Sequence, residues 1–168
     1  MQVTIYDILV PTANRILGSL SKVLDKGAAF AEAKKIDQAV LLNLRLAPDM
    51  FSLTRQVQIA ADMIKGAAAR LSGSDVPKFD DNEATIAELK ARIDKTLAFV
   101  NSIDAAKFTG AEDRDVLLQM RTGELRFKGL AYLREFVLPN MYFHVAAAYL
   151  ILRHNGVDLG KSDFIGAQ

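Results

Sequence analysis

Near the start of the chain, apolar residues recur at steps of three and four: Ile5, Ile8 and Leu9, Ile16 and Leu17, Leu20, Val23 and Leu24. That spacing lines one face of a helix. Thr4 with Asp7 resembles a capping box with Asp in place of Glu. Pro11 lies inside the pattern and lacks a backbone donor, which predicts a kink there or a helix that begins after it. The helix can run on through "GAAFAEAKK" to about Lys34. Asp37 can cap a short turn that carries Leu41 and Leu42. In "LAPDM", Pro48 suits a first helical position. The stripe Met50, Leu53, Val57, Ala60/Ala61, Ile64, Ala68, Leu71 then predicts a second long helix, stopped by Gly73. "GSDVPKFDD" is a linker by its Gly, Ser, Pro and Asp content. Asp80 with Glu83 makes another capping signature, ahead of a third helix that reads Ile86, Leu89, Ile93, Leu97, Val100, Ile103. The spacing is close to a heptad repeat, and three heptads make a bundle seam rather than an extended coiled coil.

Residues 104 to 128 break the helical pattern, and a structureless loop of that length is unusual in a compact domain. Within it Val116, Leu118 and Met120 alternate before Thr122-Gly123, and Leu125 and Phe127 alternate after it, which predicts a small β-hairpin. The last apolar segment runs from Leu130 to Asn155, interrupted at Leu138-Pro139, and is one kinked helix or two. Asn155-Gly156 is a C-terminal stop, with Arg153 and His154 in a last turn where positive charge suits the helix dipole. The tail "VDLGKSDFIGAQ" reads as an extended segment that lays Leu159 and Phe164 on the bundle. Four main helices around one core follow as the architecture, in a single domain over residues 1–168.

Composition narrows the function classes. With 21 basic and 20 acidic residues the net charge is +1, so the basic excess or stripe of an electrostatic nucleic-acid binder is missing. Cysteine is absent, which removes disulfides, thiolate nucleophiles and Cys-bearing zinc sites. The first residues lack the basic-then-apolar layout of a secretory signal, and no uninterrupted apolar run approaches the ~18 residues of a membrane span. The longest, "VAAAYLIL", stops at Arg153. These features lead us to expect a soluble, cytoplasmic protein without nucleic-acid or membrane partners.

Both histidines lie in "LPNMYFHVAAAYLILRHNG". On a straight helix His144 and His154 are ~15 Å apart and point in different directions, so they cannot chelate one ion. His154 reads as an exposed residue suited to the helix end. His144 stands four residues after Asn140, on the same face. It is either a hydrogen-bonded core residue or part of a ligand pocket. "AAAY" from Ala146 allows close helix approach, and Phe136, Tyr142, Phe143 and Tyr149 read as core and seam. On the second helix Gln56, Gln58 and Asp62 read as a solvent face by residue type, although Gln58 could turn inward. Arg55 and Asp62 could form surface pairs. The serines stand where capping would place them, and there is no nucleophile elbow, P-loop, dinucleotide glycine motif or HExxH.

"RLAPDMFSLTRQVQIAADMIKGAAARLSG" and "FVLPNMYFHVAAAYLILRHNGVDLGKSDFIG" resemble an uncharacterised bacterial family within the DinB/YfiT-like superfamily. The resemblance covers nearly the whole chain, hairpin insertion included. It implies an all-α fold, a DinB-like four-helix bundle with a small β-hairpin before the last helix, commonly a homodimer. Many members of that superfamily bind a divalent metal through three histidines, one on the second helix and two spaced by four on the last. Some are metal-dependent thiol transferases or hydrolases. Aligned on "LRHNGVDLG", His144 falls at the second histidine of the pair and Asn140 at the first; Gln58 or Ile59 occupies the corresponding region of the second helix. One ligand of three is kept. The expectation is a small-molecule-binding or non-catalytic protein with a degenerate metal site and no cofactor, its pocket lined by Asn140, His144 and Gln58. The alternative is a divalent-metal-dependent enzyme in which His144 remains a ligand.

Overall fold

The computed structural model describes residues 3–120 and 123–166. Its first helix, α1 (Ile5–Lys34), opens on a complete capping box: the Thr4 hydroxyl accepts from the Asp7 N–H at 3.2 Å, and the Asp7 carboxylate accepts from the Thr4 N–H at 3.0 Å. With that cap closed, the helix starts before Pro11 and continues through it. Pro11 lies on the exposed side, where water can take the carbonyl its ring leaves without a donor. The short helix α2 (Gln38–Asn43) is capped by Asp37, which accepts from the Ala39 N–H at 2.9 Å.

Pro48 does not open the next helix. It sits in a turn, and α3 (Leu53–Ser72) begins five residues later, after Ser52. The loop is closed by its own bonds, Leu53 N–H to the Leu44 carbonyl at 2.9 Å and Met50 N–H to the Ala47 carbonyl at 3.0 Å, so Met50 lies in the loop rather than on the helix. Gly73, at φ 70°, ends α3. Asp80 and Glu83 do not cap the third long helix either. Thr85 and Glu88 form the capping box of α4 (Ile86–Ser102), because Asp80 and Glu83 are drawn to a different task, the buried Arg92. α1 and α4 are also joined at their polar rim, where the Asn14 and Asn101 amides exchange two bonds of 2.9 Å.

Two 3₁₀ turns, Ala105–Phe108 and Ala111–Asp113, lead into the hairpin β1 (Asp115–Met120) and β2 (Gly123–Lys128). The strands are antiparallel, with Val116 opposite Phe127 and Leu118 opposite Leu125. Val116 and Leu118 turn inward. Of the expected turn pair, Thr122 lies outside the described residues and Gly123 has φ 130°.

The last long helix, α5 (Gly129–His154), is a single element. Its register widens to a π-helix over Tyr132–Val137, where the Leu138 N–H reaches the Leu133 carbonyl. This wider turn directly precedes Pro139 and absorbs the missing donor without ending the helix. α5 is long and apolar enough to cross a membrane by length and composition alone, with a mean hydropathy of 1.3. It packs along α3 in the core of the bundle, as a helix apolar on most of its circumference does. After Asn155 and Gly156, Leu159 is buried as expected and Val157 is buried with it, but the tail is not extended throughout. It closes as α6 (Lys161–Ile165), with Phe164 edge-on to Tyr149 and Asp163 paired to Lys26 of α1 at 2.8 Å.

The four long helices α1, α3, α4 and α5 enclose one core, centred on Leu9, Leu17, Val57, Ile64, Ile93 and Leu133. Gly129 marks the tightest backbone approach in it: a Cβ there would lie 1.8 Å from the Ala111 carbonyl oxygen. Gly129→Ala must push two backbone segments apart. We expect it to lower stability by about 1–3 kcal/mol, read as a reduced urea midpoint at unchanged m-value; a midpoint equal to the parent's would remove this account of the glycine.

Candidate functional site

α3 and α5 run antiparallel, since the start of α3 meets the end of α5 at Gln56–His144 and the end of α3 meets the start of α5 at Arg70–Tyr132. His144 is buried, 9% exposed, in the first of these contacts. Its Nδ1 lies 2.6 Å from the Gln56 side-chain oxygen. The Gln56 amide nitrogen donates to the Phe51 carbonyl at 3.2 Å, and that bond orients the amide. A nitrogen facing a carbonyl must be the donor, so the Gln56 oxygen faces His144 and Nδ1 carries the proton. The other ring nitrogen, Nε2, keeps its lone pair and has no hydrogen-bond partner among the described residues. Burial of the ring, and secondarily the charge of Arg55, hold His144 below its ordinary value of 6.5. The ring is therefore neutral near pH 7.

The other sequence candidates are placed differently. Asn140 turns back along its own helix and donates to the Phe136 carbonyl at 2.6 Å, which occupies its amide locally. Gln58 is buried but on another side of α3: it accepts from Arg55 at 3.1 Å and donates to Glu83 at 2.8 Å. The solvent-face reading of Gln56 and Gln58 thus fails, because α3 is enclosed by its neighbours on most of its circumference. Arg55 pairs with Asp81 at 2.5 Å rather than with Asp62. His154 is exposed in the last turn of α5. The group the structure brings together is His144 with Gln56. The signal for Gln56 is its place in the series Leu53, Gln56, Ala60, which keeps the three-and-four spacing of the buried stripe.

Beside this pair lies a cleft of about 230 Å³ lined by Asp49, Met50, Phe51, Gln56, Phe143 and His144. Phe143 stands edge-on to the His144 ring, with centroids 5.2 Å apart. The cleft is lined by one neutral imidazole and one carboxylate, Asp49, between aromatic and thioether flanks. It does not offer a metal cage. Among the described residues, no three of His, Cys, Asp or Glu converge to hold an ion. A catalytic metal wants about three protein ligands, and the imidazole of His144 supplies one.

Asp62, Asp81 and Glu83 serve Arg92 instead. Its side chain is 2% exposed and reaches Asp62 and Asp81 through Nη2 at 2.9 Å, and Glu83 and the Asp80 carbonyl through Nη1 at 2.8 and 3.1 Å. Asp62 also binds Lys65 at 2.7 Å. Hydrogen bonds to Arg55 and Arg92 hold the Asp81 carboxyl below its usual range despite the opposing effect of burial. Lys65 and Lys95 cap the Phe79 ring at 4.1 and 4.2 Å, so the linker is pinned to α3 and α4 by charge and by cation–π contact. This is a structural clamp with its charges matched, and it leaves no carboxylate near His144 from α3.

The bundle and the hairpin insertion together define a DinB-like four-helix fold. The crystal structure of a DinB family member from Shewanella denitrificans matches with a TM-score of 0.91 and 44% identity, over 97% of this chain and 92% of that one. The chain belongs to the family described as a domain of unknown function, DUF1993, which matches residues 5–165. No match is found among curated proteins.

The lowered His144 pKa makes stability depend on pH. Between 6.5 and the folded value, the unfolded chain takes up a proton that the folded ring resists. The contribution is whole above 6.5 and is lost as pH falls through the folded pKa. In a histidine NMR titration His144 should show a midpoint below 6.5 and, above it, nitrogen shifts of the Nδ1–H tautomer. Gln56→Ala should erase the tautomer preference. A midpoint at or above 6.5 contradicts the burial argument.

Proposed function

We propose that the protein is a non-catalytic, small-molecule-binding DinB-like bundle whose metal-ligand set is reduced to one histidine. The observation that carries this reading is the chain Phe51 carbonyl, Gln56 amide, His144 Nδ1, with the imidazole on the wall of the cleft and Nε2 without a hydrogen-bond partner among the described residues. A metal-binding histidine also bonds through its second nitrogen, so the His144 geometry by itself suits either use. What favours a small molecule is the company: Met50, Phe51 and Phe143 flank the ring, and among the described residues no three of His, Cys, Asp or Glu converge there, Asp49 being the carboxylate on the cleft wall. Such a cleft suits an aromatic or aliphatic body carrying one hydroxyl or N–H that donates to Nε2.

Phenol is a suitable probe. Its NMR titration should give saturable shifts confined to Phe51, Phe143 and His144, abolished in His144→Ala. Protein purified without chelator should carry substoichiometric zinc, nickel and manganese by elemental analysis. Stoichiometric metal that disappears in His144→Ala would instead establish the divalent-metal-dependent enzyme.

A second copy of the chain is the partner this reading includes. α5 is apolar around most of its circumference, yet Tyr142, Phe143 and Leu150 remain exposed on its outer side. A helix apolar all round is normally covered, and a self-complementary two-fold contact covers it at least cost in surface design. Light scattering should give a dimer, and Leu150→Glu should give a folded monomer. A monomeric parent protein at high concentration rejects this part.

A further inference from the structure

The geometry points to a second binding site, for a monocarboxylate with an apolar body, in the cleft between the C-terminal half of α3, the hairpin and the π-helical turn of α5. The cleft measures about 400 Å³. Met63 and Leu118 form part of its wall, and Met120 and Phe136 continue it. Tyr132 and Phe136 stack at 5.9 Å with planes 19° apart, and Phe127 supports both from 6.0 and 5.6 Å. The two polar groups of interest are Arg70 and Tyr132.

Arg70 is held in place rather than left to solvent. Its guanidinium lies back over Gly66, where an added Cβ would come 2.4 Å from Nη1. Glycine at 66 therefore makes the seat for the cation. Nη1 donates to the Tyr132 hydroxyl at 3.3 Å. No carboxylate lies within ion-pair reach of Arg70 among the described residues, in contrast to Arg92 with its three. The acid that lines the same cleft, Asp62, sits ~12 Å away along α3 and is already bound by Lys65 and Arg92. Tyr132 is buried, which pushes its phenol up and keeps it protonated. Its oxygen accepts from Arg70, and its own proton has no acceptor among the described residues.

A permanent cation and a neutral O–H donor side by side match the two oxygens of a carboxylate. The apolar wall beside them takes the rest of the molecule. The site is independent of the His144 cleft, since Gln56 and Arg70 are ~21 Å apart along α3.

Octanoate and its uncharged counterpart 1-octanol test the proposal on the full chain by calorimetry and NMR. Octanoate should bind saturably and shift Arg70, Tyr132 and Phe136. 1-Octanol should bind about tenfold or more weakly, because the charge-assisted bonds are gone. Arg70→Gln should cost about tenfold or more in octanoate affinity, and Tyr132→Phe severalfold. Gly66→Ala displaces the guanidinium while leaving Arg70 in the chain, so it should also weaken octanoate at unchanged helicity. His144→Ala should leave octanoate affinity unchanged. Equal binding of octanoate and octanol, an unaffected Arg70→Gln or Gly66→Ala, or loss of octanoate in His144→Ala each overturns the assignment.

Discussion

Helix α3 is enclosed on most of its circumference, and the polar side chains on its enclosed faces must find partners inside the protein. The enclosure is possible because so much of the helix is small: Ala60, Ala61, Gly66, Ala67, Ala68 and Ala69 are all buried and let the neighbours approach closely. An unpaired polar group in such a seam costs about 1–3 kcal/mol. Gln56 meets that cost with Phe51 and His144, Gln58 with Arg55 and Glu83, Lys65 with Asp62, and Arg70 with Tyr132. The partners lie on α5, in the loop before α3, in the linker before α4 and on α3 itself. The position of those surrounding segments is thus tied to the polar residues of one helix.

Periodicity made most of this architecture readable in advance. The apolar stripes of α1, α3 and α4 are long, and one wrong residue does not disturb them. Single-residue signals were less reliable, each for an identifiable reason. Pro11 weighs little against a closed cap at Thr4 and an exposed position. Pro48 serves a turn that closes on Leu44 and Leu53 before any helix begins. Asp80 and Glu83 carry the composition of a cap but answer a guanidinium buried twelve and nine residues further along, at Arg92. That demand is tertiary, and it is invisible in the local window.

The site was legible in the same uneven way. His144 stands out as one of only two histidines, and the structure places it against α3. Its partner is hidden by residue type: glutamine is usually exposed, so Gln56 and Gln58 read as a solvent face, with Gln58 the one able to turn inward. Gln56 shares the Leu53–Ala60 face, and the packing on α5 uses that face. Asn140 shares a helix face with His144, yet its amide is spent on the Phe136 carbonyl within the π-helical region, a backbone irregularity that side-chain spacing does not announce. The Gly66–Arg70 seat had no sequence signal beyond the i, i+4 spacing, because its meaning depends on where the guanidinium lies.

The Gln56–His144 bond also differs in kind from a coordinated ion. An ion can be withdrawn by a competing chelator or exchanged for another, and a centre built on one varies with what its surroundings supply. The Gln56 carboxamide is part of the chain and cannot diffuse away. Its local concentration beside the imidazole is fixed by the helix that carries it. The tautomer of His144 is set at folding by that bond, with the proton on Nδ1.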